Sequence, residues 1–285
     1  MNKNVGILGG GFGLYGYLPA FANLQFEIFT LSKYENFVKK RPDLFQYIDK
    51  VNFLNEEKDL IKKVDYINIA RNPESQYQFL LQNKPYSFKH LYIEKPIAHQ
   101  TIAYKECIEN FETENTSFSV FYSLTYMDWY NNIIEEIQQD IDKEYKIVWN
   151  IKQKSSSWKQ DISRGGGMLK FYGIHFIKMF IDANLTLKNI KMFNNKLEIN
   201  LESKNINFLT IFIESSDKNS FSVYKNKEIL INSSNPFLKE IIPELPDPRI
   251  AILEKYIQSD SSTALELEKN TLIWLNLLEQ NINLS

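Results

Sequence analysis

The sequence predicts an α/β chain in which a doubly wound parallel sheet is followed by a second domain built on mostly antiparallel strands. Three observations predict it. Short apolar runs alternate with helical segments of roughly 8–14 residues through the first 120 positions, as in a parallel sheet with crossover helices. Beyond about residue 125 the rhythm changes to strand-like runs joined by short polar turns, as in an antiparallel sheet. A glycine-rich stretch directly follows the first strand-like run.

That first run, Asn4-Val5-Gly6-Ile7-Leu8, is short, apolar and bounded by glycine, which suits a buried parallel strand. Leu14, Tyr15, Leu18 and Phe21 fall at helical spacing over 14–23, where Pro19 has to sit at a turn or kink the helix. Further strands are expected at 26–31, 51–54, 65–70, 90–93 and 118–122, the fourth of these stopped by Pro96. The intervening helices are expected at 34–41, 56–63, 75–82 and 98–111. The boundary is placed near residue 120, giving domains 1–120 and 121–285. In the second, 128–139 has a helical pattern and 145–152 alternates weakly. Residues 168–181 form a long amphipathic helix bearing Met168, Leu169, Tyr172, His175, Phe176 and Met179. Strand-like runs at 190–193, 196–201, 208–213, 221–224 and 228–231 are separated by turns such as Asn194-Asn195 and Asp217-Lys218-Asn219, and a helix at 264–281 follows.

Composition narrows the function classes. The 33 basic and 35 acidic side chains leave a net charge of −2, so neither nucleic acid nor an anionic membrane is expected as the main partner. A hydrophobic content of 44%, with 14% aromatic residues, supplies a sizeable core and excludes disorder for most of the 285 residues. The single cysteine, Cys107, excludes an intramolecular disulfide framework and a multi-cysteine zinc site, and no metal is expected. The opening Met-Asn-Lys-Asn lacks the order of a signal peptide, and no run of 18 apolar residues exists. A cytoplasmic protein is expected.

Glycine is scarce and clustered. Of ten glycines, six are Gly6, Gly9, Gly10, Gly11, Gly13 and Gly16; the others are Gly165, Gly166, Gly167 and Gly173. Glycine is favoured where φ must be positive or a backbone must come close to something. Two such clusters read either as two walls of one site or as two tight turns.

The first cluster reads Gly9-Gly10-Gly11-Phe12-Gly13-Leu14-Tyr15-Gly16, between a strand and a helix. It fits Gly11-x-Gly13-x-x-Gly16 and, in a shorter register, Gly9-x-Gly11-x-Gly13. Glycines there let the backbone approach a pyrophosphate, whose charge faces free amides at the helix N-terminus. Gly9, Gly11, Phe12 and Gly13 are therefore candidate dinucleotide contacts. The second strand ends in Thr30-Leu31-Ser32-Lys33 rather than in the carboxylate that binds ribose hydroxyls. A hydroxyl followed by a cation, Ser32-Lys33, suits a 2′-phosphate, so the cofactor is NADP or NAD, with a lean towards NADP. Glu94-Lys95-Pro96 follows a strand, which puts Lys95 at the end of a parallel sheet where ligands bind.

Taken together, these stretches resemble the Gfo/Idh/MocA oxidoreductase family. The resemblance is carried by the glycine turn with Leu18-Pro19-Ala20, by Ala70-Arg71-Asn72-Pro73 and by Glu94-Lys95-Pro96-Ile97-Ala98. It continues through Trp158, Gly165-Gly166-Gly167-Met168-Leu169, Gly173-Ile174-His175 and Asp247-x-Arg249. It implies a Rossmann domain followed by an α+β domain on an open, mostly antiparallel sheet, with the nicotinamide between them. It also implies a homodimer or homotetramer and a small-molecule substrate such as a sugar or nucleotide sugar. Lys95 matches a lysine contacting cofactor and substrate hydroxyl, and His175 matches a catalytic histidine. Ala70, Asn72 and Glu94 join the cofactor set; Tyr126, Trp158, Tyr172 and His175 join the substrate set, with Tyr172 as a second catalytic candidate. Chemically, a secondary alcohol needs a proton acceptor while its hydride leaves, and histidine, with a pKa near ~6.5, suits that role.

The departures are equally specific. Phe171 stands where the family has an aspartate four residues before the histidine, and Lys178 where one is frequent three residues after. The family's Ala-Thr-Pro-Pro-x-x-His stretch is Ala70-Arg71-Asn72-Pro73-Glu74-Ser75-Gln76, and Thr125 replaces an arginine after the sixth strand. Asp128, Trp129, Tyr130 and Trp158 read as a sugar-stacking platform or as core. The leading expectation is an NAD(P)-dependent oxidoreductase acting on a secondary alcohol or ketone of a sugar, nucleotide sugar or cyclitol. The alternatives are a non-catalytic sensor of ligand or cofactor on the same fold, and an imine or double-bond reductase.

Overall fold

The computed structural model describes residues 3–153, 158–193, 195–242 and 244–284; Asn194 of the expected Asn194-Asn195 turn, and the first two residues, lie outside them. The chain divides into two compact units. The first comprises Met1–Ala98, Ala103–Phe121 and Ile241–Glu266; the second comprises His99–Ile102, Tyr122–Glu240 and Leu267–Ser285.

The first unit holds six strands: β1 (Asn4–Leu8), β2 (Glu27–Leu31), β3 (Val51–Leu54), β4 (Tyr66–Ile69), β5 (His90–Glu94) and β6 (Phe118–Phe121). All pair in parallel, in the order β3-β2-β1-β4-β5-β6. Their residues are apolar in continuous runs because helices cover both faces; Val5, Ile7, Leu8, Ile28, Ile67, Ile69, Leu91 and Ile93 are fully or almost fully buried. This is the doubly wound order, in which the chain reverses direction across the sheet between β1 and β4. Such a reversal opens a crevice at the strands' C-terminal ends, where the turns after β1, β4 and β5 all emerge.

The second unit is built on seven strands: β7 (Glu144–Ile151), β8 (Thr186–Phe193), β9 (Lys196–Glu202), β10 (Phe208–Ser215), β11 (Ser220–Lys225), β12 (Glu228–Ser233) and β13 (Ile282–Leu284). Their order is β12-β11-β7-β10-β9-β8-β13. β7 runs parallel to β10 and β13 parallel to β8; the remaining pairs are antiparallel. One face is buried, through Tyr145, Ile147, Trp149, Ile199, Leu201, Leu209, Ile211, Ile213, Phe221 and Val223. The alternate residues are not buried and many are polar, among them Lys146, Asn150, Glu198 and Thr210. That two-residue alternation is the pattern of a sheet covered on one side.

Three expectations are corrected. The helices read as continuous over 14–23 and 168–181 each begin as a π-helical turn, Gly13–Tyr17 and Met168–Gly173, before continuing as the α-helices Leu18–Asn23 and Ile174–Asp182. In the first, the Leu18 N–H reaches back five residues to the Gly13 carbonyl, just before Pro19, which has no N–H to donate. In the second, Ile174 N–H reaches the Leu169 carbonyl, and Gly173 leaves the room that Leu197 occupies. The third correction concerns the boundary. Residues 121–285 were assigned as one block, yet Ile241–Glu266 belongs to the first unit, carrying an unanticipated helix, Ile250–Gln258. Its Tyr256 ring packs 5.0 Å from Phe121 and 5.9 Å from Tyr92. Local periodicity reports which face of a helix is apolar, not which core receives it.

Candidate functional site

The turn after β1 is shaped by close contacts on all sides but one. A Cβ at Gly9, where φ is 154°, would lie 2.2 Å from the Ala70 carbonyl oxygen. One at Gly10 would meet the Tyr34 ring at 2.6 Å, and one at Gly16 the Phe12 ring at 2.4 Å. One at Gly13 would sit 3.2 Å from Ala70 Cβ and 3.3 Å from Ile7. Gly11 alone faces open space, with nothing within 4 Å of a Cβ built there. Its carbonyl accepts the Leu14 and Tyr15 N–H groups at 2.9 and 3.2 Å, which starts the helical turn at that point.

Phe12 was expected to face the cofactor, but its ring is taken up inside the unit. It lies edge-on to Tyr15 and Tyr17 at 5.5 Å, stacks on Phe121 at 6.1 Å and lies under the Arg249 guanidinium at 4.2 Å. Arg249 is held by a bidentate pair with Asp247, Nε to Oδ1 at 2.8 Å and Nη2 to Oδ2 at 2.7 Å. Burial disfavours its charge, but the hydrogen bonds and charge of Asp247, with Tyr15 and Glu94 adding, more than offset this and raise its pKa. A second such pair, Arg41 with Asp43 at 2.7 Å, stacks over Tyr15 at 5.4 Å. Sequence reading noted Asp247-x-Arg249 only as a resemblance and missed Arg41; spacing alone carries no signal that either covers the glycine turn.

Lys95 leaves the end of β5 almost fully buried, at 7% exposure. Beside it, the Glu94 carboxylate accepts a hydrogen bond from the Tyr17 hydroxyl at 2.9 Å, tying the β5 exit to the helix after the glycine turn. The Asn72 side chain caps the helix Pro73–Gln82, its Oδ1 accepting from Ser75 N–H at 3.0 Å. At the end of β2, Ser32 donates to Asn55 Oδ1 at 2.9 Å, and exposed Lys33 lies 5.1 Å over the Tyr34 ring. Gly9, Gly11, Gly13, Ala70, Asn72, Glu94 and Lys95 are thus gathered at one end of the parallel sheet.

In the second unit, Tyr172 and His175 converge on one ring: Trp149 lies 5.5 Å from Tyr172 and 6.1 Å from His175. Both are buried, at 8% and 7% exposure. Burial raises the Tyr172 pKa, partly offset by nearby Gln153, so its hydroxyl stays protonated. Phe171 sits edge-on between the rings of Trp158, at 5.2 Å, and Tyr172, at 4.8 Å, with Lys159 over its face at 5.0 Å. Phe171 is thus held by aromatic packing on both sides. Of the two readings of Trp129 and Tyr130, the structure bears out core: Tyr130 is fully buried, and the Trp129 N–H donates to the Pro236 carbonyl at 2.8 Å. Trp158 is half-buried, and Tyr126 ends a short 3₁₀ turn, Ser123–Tyr126, also half-buried. Among the described residues no group of three His, Cys, Asp or Glu side chains could hold a metal ion, and no helix is long and apolar enough to cross a membrane.

No protein-family model and no curated protein matches the sequence. Solved structures do match, over nearly the whole chain. The WlbA (WbpB) dehydrogenase from Thermus thermophilus, in complex with NAD and UDP-GlcNAcA, has a TM-score of 0.74 at 15% identity, over 100% of this chain and 96% of that one. KijD10, a 3-ketoreductase from Actinomadura kijaniata in complex with NADP and TDP-benzene, has a TM-score of 0.72 at 10% identity, over 100% and 99%. The dehydrogenase MviM from Clostridium difficile has a TM-score of 0.67 at 16% identity, over 98% of each chain. At these identities the likeness is one of fold.

Proposed function

We propose that this chain is an NAD(P)-dependent oxidoreductase that moves a hydride between nicotinamide and a secondary alcohol or ketone of a sugar, nucleotide sugar or cyclitol. The observation that carries it is Gly11: within a turn otherwise filled by its own neighbours, one position is open to solvent, at the switch point of a parallel sheet. The residues present fit a dinucleotide, because the turn leaves open space at Gly11, beside the start of a helix, where a pyrophosphate could approach the backbone. Gly9, Gly11 and Gly13 would hold the pyrophosphate, with Ala70 and Asn72 beside them. Lys33, lacking a carboxylate in front of it, would pair with the 2′-phosphate of NADP. The dinucleotide, when bound, supplies the ring that accepts or gives the hydride. The bound ligands of WlbA and KijD10, NAD or NADP with a sugar-nucleotide or nucleotide ligand, support this choice of substrate class.

The chain's own groups do the rest. The Lys95 ammonium holds the alcohol oxygen and stabilises its alkoxide character, lowering the cost of removing the proton. His175 takes that proton as a neutral imidazole, and Tyr172, kept protonated by burial, donates a hydrogen bond rather than accepting the proton. One observation favours a second reading. Phe171, packed between Trp158 and Tyr172, leaves no carboxylate at that point to stabilise an imidazolium, and reduction of an imine or activated double bond asks less of a base.

Titration calorimetry with NADH and NADPH tests the proposal, followed by hydride exchange against a panel of uridine- and thymidine-diphosphate sugars. Tight binding with turnover of one of them is expected. Failure to bind either dinucleotide removes the proposal; binding without hydride exchange on any sugar or imine favours a sensor.

A further inference from the structure

Gln76 is fully buried on the first turn of the helix Pro73–Gln82, and its amide spends both hydrogens on the chain around Lys95. Nε2 lies 2.9 Å from the Glu94 carbonyl and 2.8 Å from the Pro96 carbonyl, the two that flank Lys95. One step back along β5, fully buried Asn68 donates from Nδ2 to the Tyr92 carbonyl at 3.2 Å. β5 makes its last pairing with β6 at Glu94, opposite Phe121, so past that point an amide takes over from the neighbouring strand.

The two amides are dear to bury. Gln76 Oε1 and Asn68 Oδ1 have no partner among the described residues, and an idle buried acceptor costs on the order of 1–3 kcal/mol. A leucine or methionine would fill either space without that penalty, so the donated bonds are what the amides supply. Among uncharged side chains only a primary amide can serve both carbonyls from one nitrogen; a hydroxyl or a ring N–H has a single hydrogen to give.

We infer that Gln76 is a positioning residue for Lys95: it pins the carbonyls on both sides and so fixes the direction in which the lysine leaves the sheet. Its value to catalysis rests on the role proposed above for Lys95, but its effect on the Lys95 amine does not. The test is the acylation rate of the Lys95 amine in the full chain, measured with acetic anhydride and peptide mass mapping, without cofactor. Gln76→Met keeps the volume and removes the donor; it should acylate Lys95 about tenfold faster than wild type, as expected when local structure worth one hydrogen bond is lost. Leu80→Ala, a fully buried change on the same helix, should lower thermal stability at least as much while leaving Lys95 within about twofold of wild type. Gln76→Glu should follow pH, giving an intermediate rise over wild type where its carboxyl is protonated and has one hydrogen to donate, and a larger rise where it ionises. If Gln76→Met does not fold, Gln76→His, with one N–H, should give an intermediate rise. A Gln76→Met or Gln76→His rate within twofold of wild type, or an equal rise in Leu80→Ala, overturns the inference. Wild-type protein that binds neither NADH nor NADPH defeats the proposed function and leaves this result standing.

Discussion

The two glycine clusters look alike in sequence and differ in what their missing side chains make room for. Both sit at a π-helical turn, Gly13–Tyr17 in the first unit and Met168–Gly173 in the second. In the second, the space is used internally. A Cβ on Gly166 would lie 2.5 Å from the Trp158 carbonyl, one on Gly167, at φ 89°, would touch Ile162, and one on Gly173 would crowd Leu197 at 3.1 Å. Gly165 takes the left-handed conformation at φ 83°. In the first, Gly9, Gly10, Gly13 and Gly16 are explained the same way, and Gly11 is not. A glycine that nothing in the fold requires is the one to suspect of facing a ligand; a glycine the fold requires says nothing about ligands.

The largest test of that distinction is on folding. Gly9→Ala and Gly166→Ala each drive a Cβ into backbone, and each should cost more than about 3 kcal/mol in urea denaturation. If either variant is as stable as wild type, the packing account of that turn is wrong. Acid should then separate the two turns. His90 bonds Ser117 and Ser119 at 2.8 and 2.9 Å, and Ser119 donates to the Tyr256 hydroxyl at 2.8 Å, which anchors the helix that covers the first turn. Burial pushes the His90 pKa down to about 4. Because that folded value lies below the unfolded one, stability present above pH ~6.5 is lost as pH falls towards 4, by at most about 3 kcal/mol. Protection factors, corrected for the slower intrinsic exchange in acid, should fall between these pH values at 12–17 and not at 168–173, and His90→Gln should abolish the difference.

Smaller effects sharpen the ligand side. Gly11→Ala should leave the unfolding curve unchanged, because its methyl meets nothing within 4 Å, yet weaken NAD(P)H binding by about 2 kcal/mol if the proposed pyrophosphate position is right. Unchanged calorimetric affinity would remove Gly11 from the site. Lys33→Ala should weaken NADPH by about 1 kcal/mol and NADH hardly at all, a difference that also decides between the two cofactors.

Which parts were legible follows from the range over which each signal acts. The β1–turn–helix unit, the alternation to residue 120 and most strands of the second sheet, though not Ile282–Leu284, were readable because their periods lie within a dozen residues. Gln76 and Arg249 were not. Gln76 could be seen only as a departure from a motif, since its bonds to Glu94 and Pro96 span 18 and 20 residues. Phe12 misled for the opposite reason: it lies in the right motif, but Arg249, Phe121 and Gly16 claim its ring. Trp129 and Tyr130 were ambiguous because an aromatic pair on an amphipathic helix has the same spacing whether it faces a sugar or a sheet.

The helix Ile250–Gln258 returns to a sheet whose last strand ends at Phe121. On the ribosome, the six parallel strands are therefore all synthesised long before Arg249 and Tyr256 exist to close over Phe12. The early half of the chain must wait, with its aromatic cluster uncovered, for its final piece, which makes any premature stop before residue 250 a route to aggregation rather than to a shorter working domain.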